Sequence, residues 1–104
     1  MYYTYMLRCE DDSIYTGITT DLDRRFKQHQ GKVQGGAKYT KSRMPLRYEM
    51  AWKSPDRQSA SKLEYRLKRL TKQEKEALIK APESFEKLLA DKLDVSTYQL
   101  VNLL

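Results

Sequence analysis

The sequence predicts a single α+β domain, and three observations carry that prediction. Two β-branched and aromatic runs, Tyr3-Thr4-Tyr5-Met6-Leu7 and Ile14-Tyr15-Thr16-Gly17-Ile18, are separated by the turn-forming Glu10-Asp11-Asp12-Ser13. Leu46, Tyr48, Met50 and Trp52 alternate with Arg47, Glu49, Ala51 and Lys53, the period-two pattern of a strand with one apolar face. The remaining stretches carry apolar residues at helical spacing behind capping signals. At 104 residues the chain suits one domain with a modest core.

The first two runs read as a hairpin. If Arg8 pairs with Ile14, Tyr5 opposes Gly17 and Leu7 opposes Tyr15, which puts both tyrosines on one face; a one-residue slip separates them. Thr20-Asp21-Leu22-Asp23 offers Thr20 as an N-cap with an acid three residues on, so a helix follows and stops at Gly31. Leu22 and Phe26 mark its buried stripe. Arg25 and His29, four residues apart, fall beside or within that stripe and so point toward the sheet.

Gly31, Gly35 and Gly36 make residues 31–44 an irregular basic loop without the spacing of a phosphate-cradling glycine motif. After the third strand, Ser54-Pro55-Asp56 opens a helix with Ser54 as cap. Ala60, Leu63, Leu67 and Leu70 form its core stripe, and Glu64 lies at the edge of that stripe. Thr71-Lys72-Gln73-Glu74 is a capping box for a further helix ending before Pro82. Phe85, Leu88, Leu89 and Leu93 suggest a final amphipathic helix. The tail beyond Asp94 is apolar without a readable pattern.

The charge is uneven. Arg24, Arg25, Lys27, Lys32, Lys38, Lys41, Arg43 and Arg47 occur without an intervening Asp or Glu, and at net +6 for the whole chain the remainder is slightly acidic. Localised charge of one sign is the footprint of a polyanion binder, so nucleic acid is the expected partner. No apolar run approaches the roughly 18 residues of a membrane-spanning helix. The N-terminus has no basic-then-apolar leader pattern. The single cysteine, Cys9, excludes an internal disulfide and a multi-cysteine zinc site, and fits the reducing cytoplasm as a small buried hydrophobe.

Tyr3-Thr4-Tyr5 stands ten residues or so before Tyr15-Thr16-Gly17, followed by Arg25-Phe26-Lys27-Gln28-His29 and the helical Glu64. In order and approximate spacing this set resembles the signature motifs of the GIY-YIG nucleases. Tyr15-Thr16-Gly17-Ile18-Thr19-Thr20-Asp21-Leu22, Arg24-Arg25 and Gly36-Ala37-Lys38-Tyr39-Thr40 echo small stand-alone bacterial members. The likeness covers about residues 2–80. Tyr3 and Thr4 replace the Gly and Ile of the first motif, Ile18 stands where some branches carry a lysine, and no asparagine follows Glu64 in its helix.

The resemblance implies a small three-stranded, mainly antiparallel sheet flanked by helices, with residues 1–81 as the catalytic-type domain. Residues 82–104 would be a C-terminal helix and tail packed on it, or a surface for a protein partner or a second copy. It also implies metal-dependent endonuclease chemistry on DNA, in repair or recombination. Tyr5, Tyr15, Arg25, His29 and Glu64 would be the catalytic residues. Arg25 would meet the phosphate with its planar fork. Glu64 would hold one Mg²⁺ or Mn²⁺ ion. Tyr15 or Tyr5 would orient or deprotonate the attacking water, with His29 as a proton relay or as the base itself. Arg24, Lys27, Lys32, Lys38, Tyr39, Lys41 and Arg43 would contact the nucleic acid. The same residues admit a plainer alternative, a non-catalytic nucleic-acid-binding module in which Glu64 only pairs with Lys68 and His29 only faces the helix dipole.

Overall fold

β1 (Tyr2–Cys9) and β2 (Ile14–Thr19) pair antiparallel with Arg8 opposite Ile14, Leu7 opposite Tyr15 and Tyr5 opposite Gly17. This is the register that the hairpin reading requires. The turn is closed by Asp11, which accepts from the Ser13 amide at 3.1 Å, and by Asp12, which takes a φ of 69°. Asp tolerates that left-handed geometry better than most residues. The computed structural model describes residues 1–32 and 43–103. Lys38, Tyr39 and Lys41, three of the expected nucleic-acid contacts, lie outside the described residues.

β3 (Pro45–Ser54) pairs with the other edge of β1, and β4 (Gln99–Leu100) adds to β3, giving the order β2-β1-β3-β4. The sheet therefore has four strands where three were expected. The extra strand is two residues long, set by Trp52 opposite Leu100 and Lys53 opposite Gln99. So short a strand carries no periodicity for a sequence reading to catch.

A second correction concerns β3. Its apolar residues do not share one face, because the pairing with β1 shifts between Met6 and Leu7. Met6 faces Met50, yet Leu7 faces Tyr48, so Glu49 is the extra residue of a β-bulge. The bulge sends Met50 and Trp52 into one core with Met6, Leu63, Leu67, Leu78 and Leu89, while Tyr48 joins Tyr5, Leu7 and Ala51 on the opposite face. A further shift between Arg8 and Cys9 leaves Leu46 half exposed.

α1 (Leu22–His29) covers the Tyr5 face, with Leu22 and Phe26 packed on it. Its N-cap is Asp21, not Thr20: the Asp21 carboxylate accepts from the Arg24 amide at 3.0 Å. A carboxylate at that position meets the positive end of the dipole with a full charge, which a hydroxyl lacks. α2 (Arg57–Lys68) packs on the other face and is likewise capped later than expected, two residues on, by Asp56 instead of Ser54. Ser54 is the buried last residue of β3, its hydroxyl 3.5 Å from the Tyr2 carbonyl. Ala60, Leu63 and Leu67 are fully buried beneath α2. Thr4 donates its buried hydroxyl to the Ala60 carbonyl at 3.0 Å and so ties β1 to α2.

α3 (Lys72–Lys80) begins with the full Thr71–Glu74 capping box. α4 (Ser84–Leu89) is shorter than its apolar spacing suggests, but Phe85, Leu88, Leu93 and Tyr98 all pack against the larger core. Phe85 stacks on Trp52 at 5.0 Å between ring centroids, and the Tyr98 hydroxyl donates to the Ser59 carbonyl at 2.6 Å. The elements are pinned by one buried cation. Arg8, 6% exposed, donates to Glu49 at 2.9 Å, to both oxygens of Glu76 at 2.6 and 2.5 Å, and to Asp12 at 3.2 Å. One guanidinium thus joins β1, the hairpin turn, the β3 bulge and α3.

Candidate active site

The hairpin register sets Tyr5 and Tyr15 on the α1 side of the sheet with ring centroids 6.2 Å apart. Between them stands Gly17, and its lack of a side chain is a steric requirement. A Cβ there would lie 2.6 Å from the Tyr5 hydroxyl and 3.0 Å from the Tyr15 ring. Gly17→Ala is expected to displace both rings and lower stability by about 1–3 kcal/mol, read from urea unfolding.

α1 supplies the other members. With Leu22 and Phe26 anchored, Arg25 and His29 fall on the same side of the helix and reach the phenols. His29 Nε2 is 2.7 Å from the Tyr5 hydroxyl, and its ring meets that of Tyr15 edge-on at 5.2 Å. Arg25 donates from Nε to the Tyr5 hydroxyl at 3.2 Å and from Nη1 to Gln28 Oε1 at 2.9 Å, and it also engages the Tyr15 hydroxyl. The Tyr5 oxygen can thus accept from Arg25 and donate to His29 at once. Four of the five expected catalytic side chains come together in this way. One component was not foreseen: Tyr48, brought over by the bulge, packs edge-on against Tyr5 at 5.1 Å and donates to the Leu22 carbonyl at 2.8 Å. Only the bulge could have announced it, and no residue type marks a bulge at Glu49.

The electrostatics separate the two tyrosines. Tyr5 is completely buried, and burial pushes its phenol up to about 12 despite the Arg25 hydrogen bond. Tyr15 is half-buried and is the phenol with access to the outside. His29 is 3% exposed. Burial first, and the Arg25 charge second, lower its pKa from 6.5 to about 4. A histidine held neutral when folded loses stability as the unfolded chain takes up the proton. The loss therefore starts below about pH 6.5, grows until about pH 4, and reaches up to about 3 kcal/mol. Urea unfolding at neutral pH and near about pH 4.5 should show this decline, and His29→Gln should remove that part of it.

Glu64 comes from a different element, α2, whose Leu63 and Leu67 pack into the other core, and its carboxylate pairs with Lys68 at 3.3 Å. Its charge reaches Tyr5 only as the weakest of the influences that shape that phenol's pKa. The pairing residue Lys68 is 53% exposed, so a surface contact of this kind is weak and displaceable. A carboxylate with 24% of its side chain accessible and, among the described residues, only this surface partner suits the single protein ligand of a largely hydrated divalent ion.

Of the expected nucleic-acid contacts, Arg24, Lys27 and Lys32 are exposed, the first two on the outward side of α1. Arg43 is committed to Asp11 at 2.7 Å, and Arg47 pairs with Glu49 at 3.1 Å. Beside Arg25, a groove of about 310 Å³ runs past Tyr2, Thr19, Gln28 and Arg57. Arg57 was not foreseen, since it sits at the start of α2, far from the basic segment in sequence.

This geometry of paired phenols on a hairpin, backed by arginine and histidine from the next helix, agrees with the sequence comparison. The GIY-YIG catalytic domain matches residues 1–77, and the chain belongs to that family. A UPF0213 protein from Citrobacter koseri is 47% identical over 90 residues, covering 86% of this chain and 87% of the relative. The UPF0213 protein BH0048 of Halalkalibacterium halodurans is 47% identical over 79 residues, covering 75% of this chain and 81% of the relative. The solution NMR structure of UPF0213 protein BH0048 from Bacillus halodurans is similar with a TM-score of 0.50 at 40% identity, over 88% of this chain and 97% of that one. Among the described residues, no helix is long and apolar enough to cross a membrane.

Proposed function

We propose that this chain is a divalent-metal-dependent endonuclease that hydrolyses phosphodiester bonds in DNA, serving repair or recombination. The observation that supports this reading is the convergence of Tyr5, Tyr15, Arg25 and His29 at hydrogen-bonding distances next to a groove lined by a second arginine. Such a cluster is costly to assemble for structure alone, because it buries a histidine and a phenol and half-buries a guanidinium.

The burial difference supports a division of roles. Tyr5 keeps its proton and acts as a positioning residue, accepting from Arg25 and donating to His29. Tyr15, having given its own phenolic proton to solvent, orients the attacking water and accepts its proton. Arg25 presents its guanidinium to the non-bridging oxygens, where negative charge concentrates as the water oxygen bonds to phosphorus. The bond from phosphorus to the leaving sugar oxygen then breaks, and that oxygen takes up a proton. Glu64 would hold one Mg²⁺ or Mn²⁺ ion, which when bound supplies Lewis-acid polarisation of the phosphate. Arg24, Lys27 and Lys32 would add contacts along the strand.

The test is incubation of wild-type protein with supercoiled, branched and single-stranded DNA in Mg²⁺, Mn²⁺ or EDTA. Nicked or shortened products that need a metal support the reading. Binding that falls steeply with salt, with no product under any condition, favours the non-catalytic module instead. The Glu64–Lys68 ion pair is the observation on that side.

A further inference from the structure

Resting on the reading that nucleic acid is the partner, we infer that the outer face of α2 is a second binding site, one that takes single-stranded nucleic acid on Tyr65. Lys62, Tyr65, Arg66 and Arg69 recur at helical spacing, and with Ala60, Leu63 and Leu67 buried they occupy the side of the helix turned away from the core. Tyr65 is 56% exposed, the most exposed aromatic side chain among the described residues. The Arg66 and Arg69 guanidinium carbons lie 5.2 and 5.5 Å from its ring centroid, and Arg69 donates to its hydroxyl at 3.3 Å. A groove of about 480 Å³ runs alongside, bounded by Lys62, Tyr65, Arg66 and, from the C-terminal region, Lys92 and Leu93.

The charge here is available to a ligand. Among the described residues, no carboxylate lies within ion-pair distance of Lys62, Arg66 or Arg69; Glu64, the only acid within α2, is turned to Lys68. Lys62 exerts a coulombic pull on Asp56 without pairing to it. Lys92 has a loose contact with Asp91 at 3.9 Å. From Arg57 to Arg69 five basic residues face one acid, a density that the acidic residues elsewhere in the chain conceal in the overall count.

An aromatic ring flanked by guanidinium planes is a stacking platform for bases, and the cations around it meet the phosphates. The combination discriminates between strands. In a duplex each base has both faces covered by its neighbours, whereas an unpaired base can lay its face on Tyr65 or on an arginine plane. The site is accordingly one for unpaired strands, not for paired ones. It also lies apart from the phenol cluster, which is on the opposite side of the sheet. A substrate with an unpaired segment could be held by α2 while Arg25 engages the bond to be cut.

The experiment is fluorescence anisotropy in EDTA, using labelled oligo-dT, labelled oligo-U and a DNA duplex of the same length. Wild type, Tyr65→Ala, Tyr65→Phe and Arg25→Ala are compared. Loss of one stacking partner should weaken single-strand binding by Tyr65→Ala roughly 5- to 100-fold. Tyr65→Phe should restore it, and duplex affinity should stay within about two-fold of wild type. Loss with oligo-dT alone, with oligo-U alone or with both supports the site and identifies the strand it takes. Unchanged single-strand binding in Tyr65→Ala, or an equal loss on duplex, overturns the inference and leaves the nuclease reading standing. Failure of wild type to bind any of the three probes overturns both.

Discussion

Arg25→Ala is expected to lower the DNA cleavage rate by about 10²- to 10³-fold, the usual effect of removing one donor from a developing oxyanion. The geometry explains why the loss should be large. Arg25 is half-buried between two phenols, so its orientation is set before substrate arrives, and no other described cation contacts Tyr5. Arg25→Lys should recover only part of the rate, since an ammonium cannot bond Tyr5 and bridge two phosphate oxygens in one plane. A spectroscopic readout accompanies the kinetic one. His29 is the only histidine in the chain, so its titration is a single NMR signal. Because the Arg25 charge is the second cause that lowers the His29 pKa, Arg25→Ala should raise it from about 4 while burial still holds it below 6.5. A reduced rate with an unmoved histidine would mean that the variant lost substrate binding without disturbing the cluster.

The second large effect concerns stability. Arg8→Met should destabilise the fold by about 3–5 kcal/mol in urea unfolding, because it strands carboxylates that the guanidinium now satisfies. Glu49 has only 13% of its side chain exposed, so its charge has little access to water once Arg8 is gone. Hydrogen bonding to Arg8 is also the leading cause that holds the Glu76 carboxyl below its ordinary range. That contribution is present above the unfolded carboxylate pKa and is lost as the pH falls through the folded one. The wild type should therefore weaken in acid by two routes, protonation of Glu76 and proton uptake by His29 in the unfolded chain. Replacing Arg8, Glu49 and Glu76 together with apolar residues of similar size should recover much of the loss, since what costs stability is the unpaired charge.

Much of this arrangement is legible in the residues. The hairpin register follows from short, strongly β-branched runs around an acidic turn, and it alone sets Tyr5 and Tyr15 side by side with Gly17 between them. The four-residue step from Arg25 to His29 is a helix-face relation that needs no tertiary information. What the residues do not disclose depends on contacts between distant segments. The bulge at Glu49 that diverts Tyr48 to the site arises from pairing with β1, and β4 exists only because the tail meets Trp52 and Lys53. The helix caps fell one or two residues late because Asp outcompetes its Thr or Ser neighbour at a dipole terminus, a local contest that pattern matching reads loosely. The basic face of α2 is not legible in a charge count along the chain, because a helix sorts charge by angle.

The most direct test of the central claim is side-by-side incubation of wild type and Glu64→Gln with supercoiled DNA, in Mg²⁺ and in EDTA. Among the described residues Glu64 makes one surface ion pair, so its loss should cost the fold only a few tenths of a kcal/mol and leave DNA binding largely intact. The predicted result is nicked and linear product from wild type in Mg²⁺ alone, and none from Glu64→Gln. Equal product from both proteins in Mg²⁺ would contradict the account, since the carboxylate assigned to the metal would then take no part in cleavage.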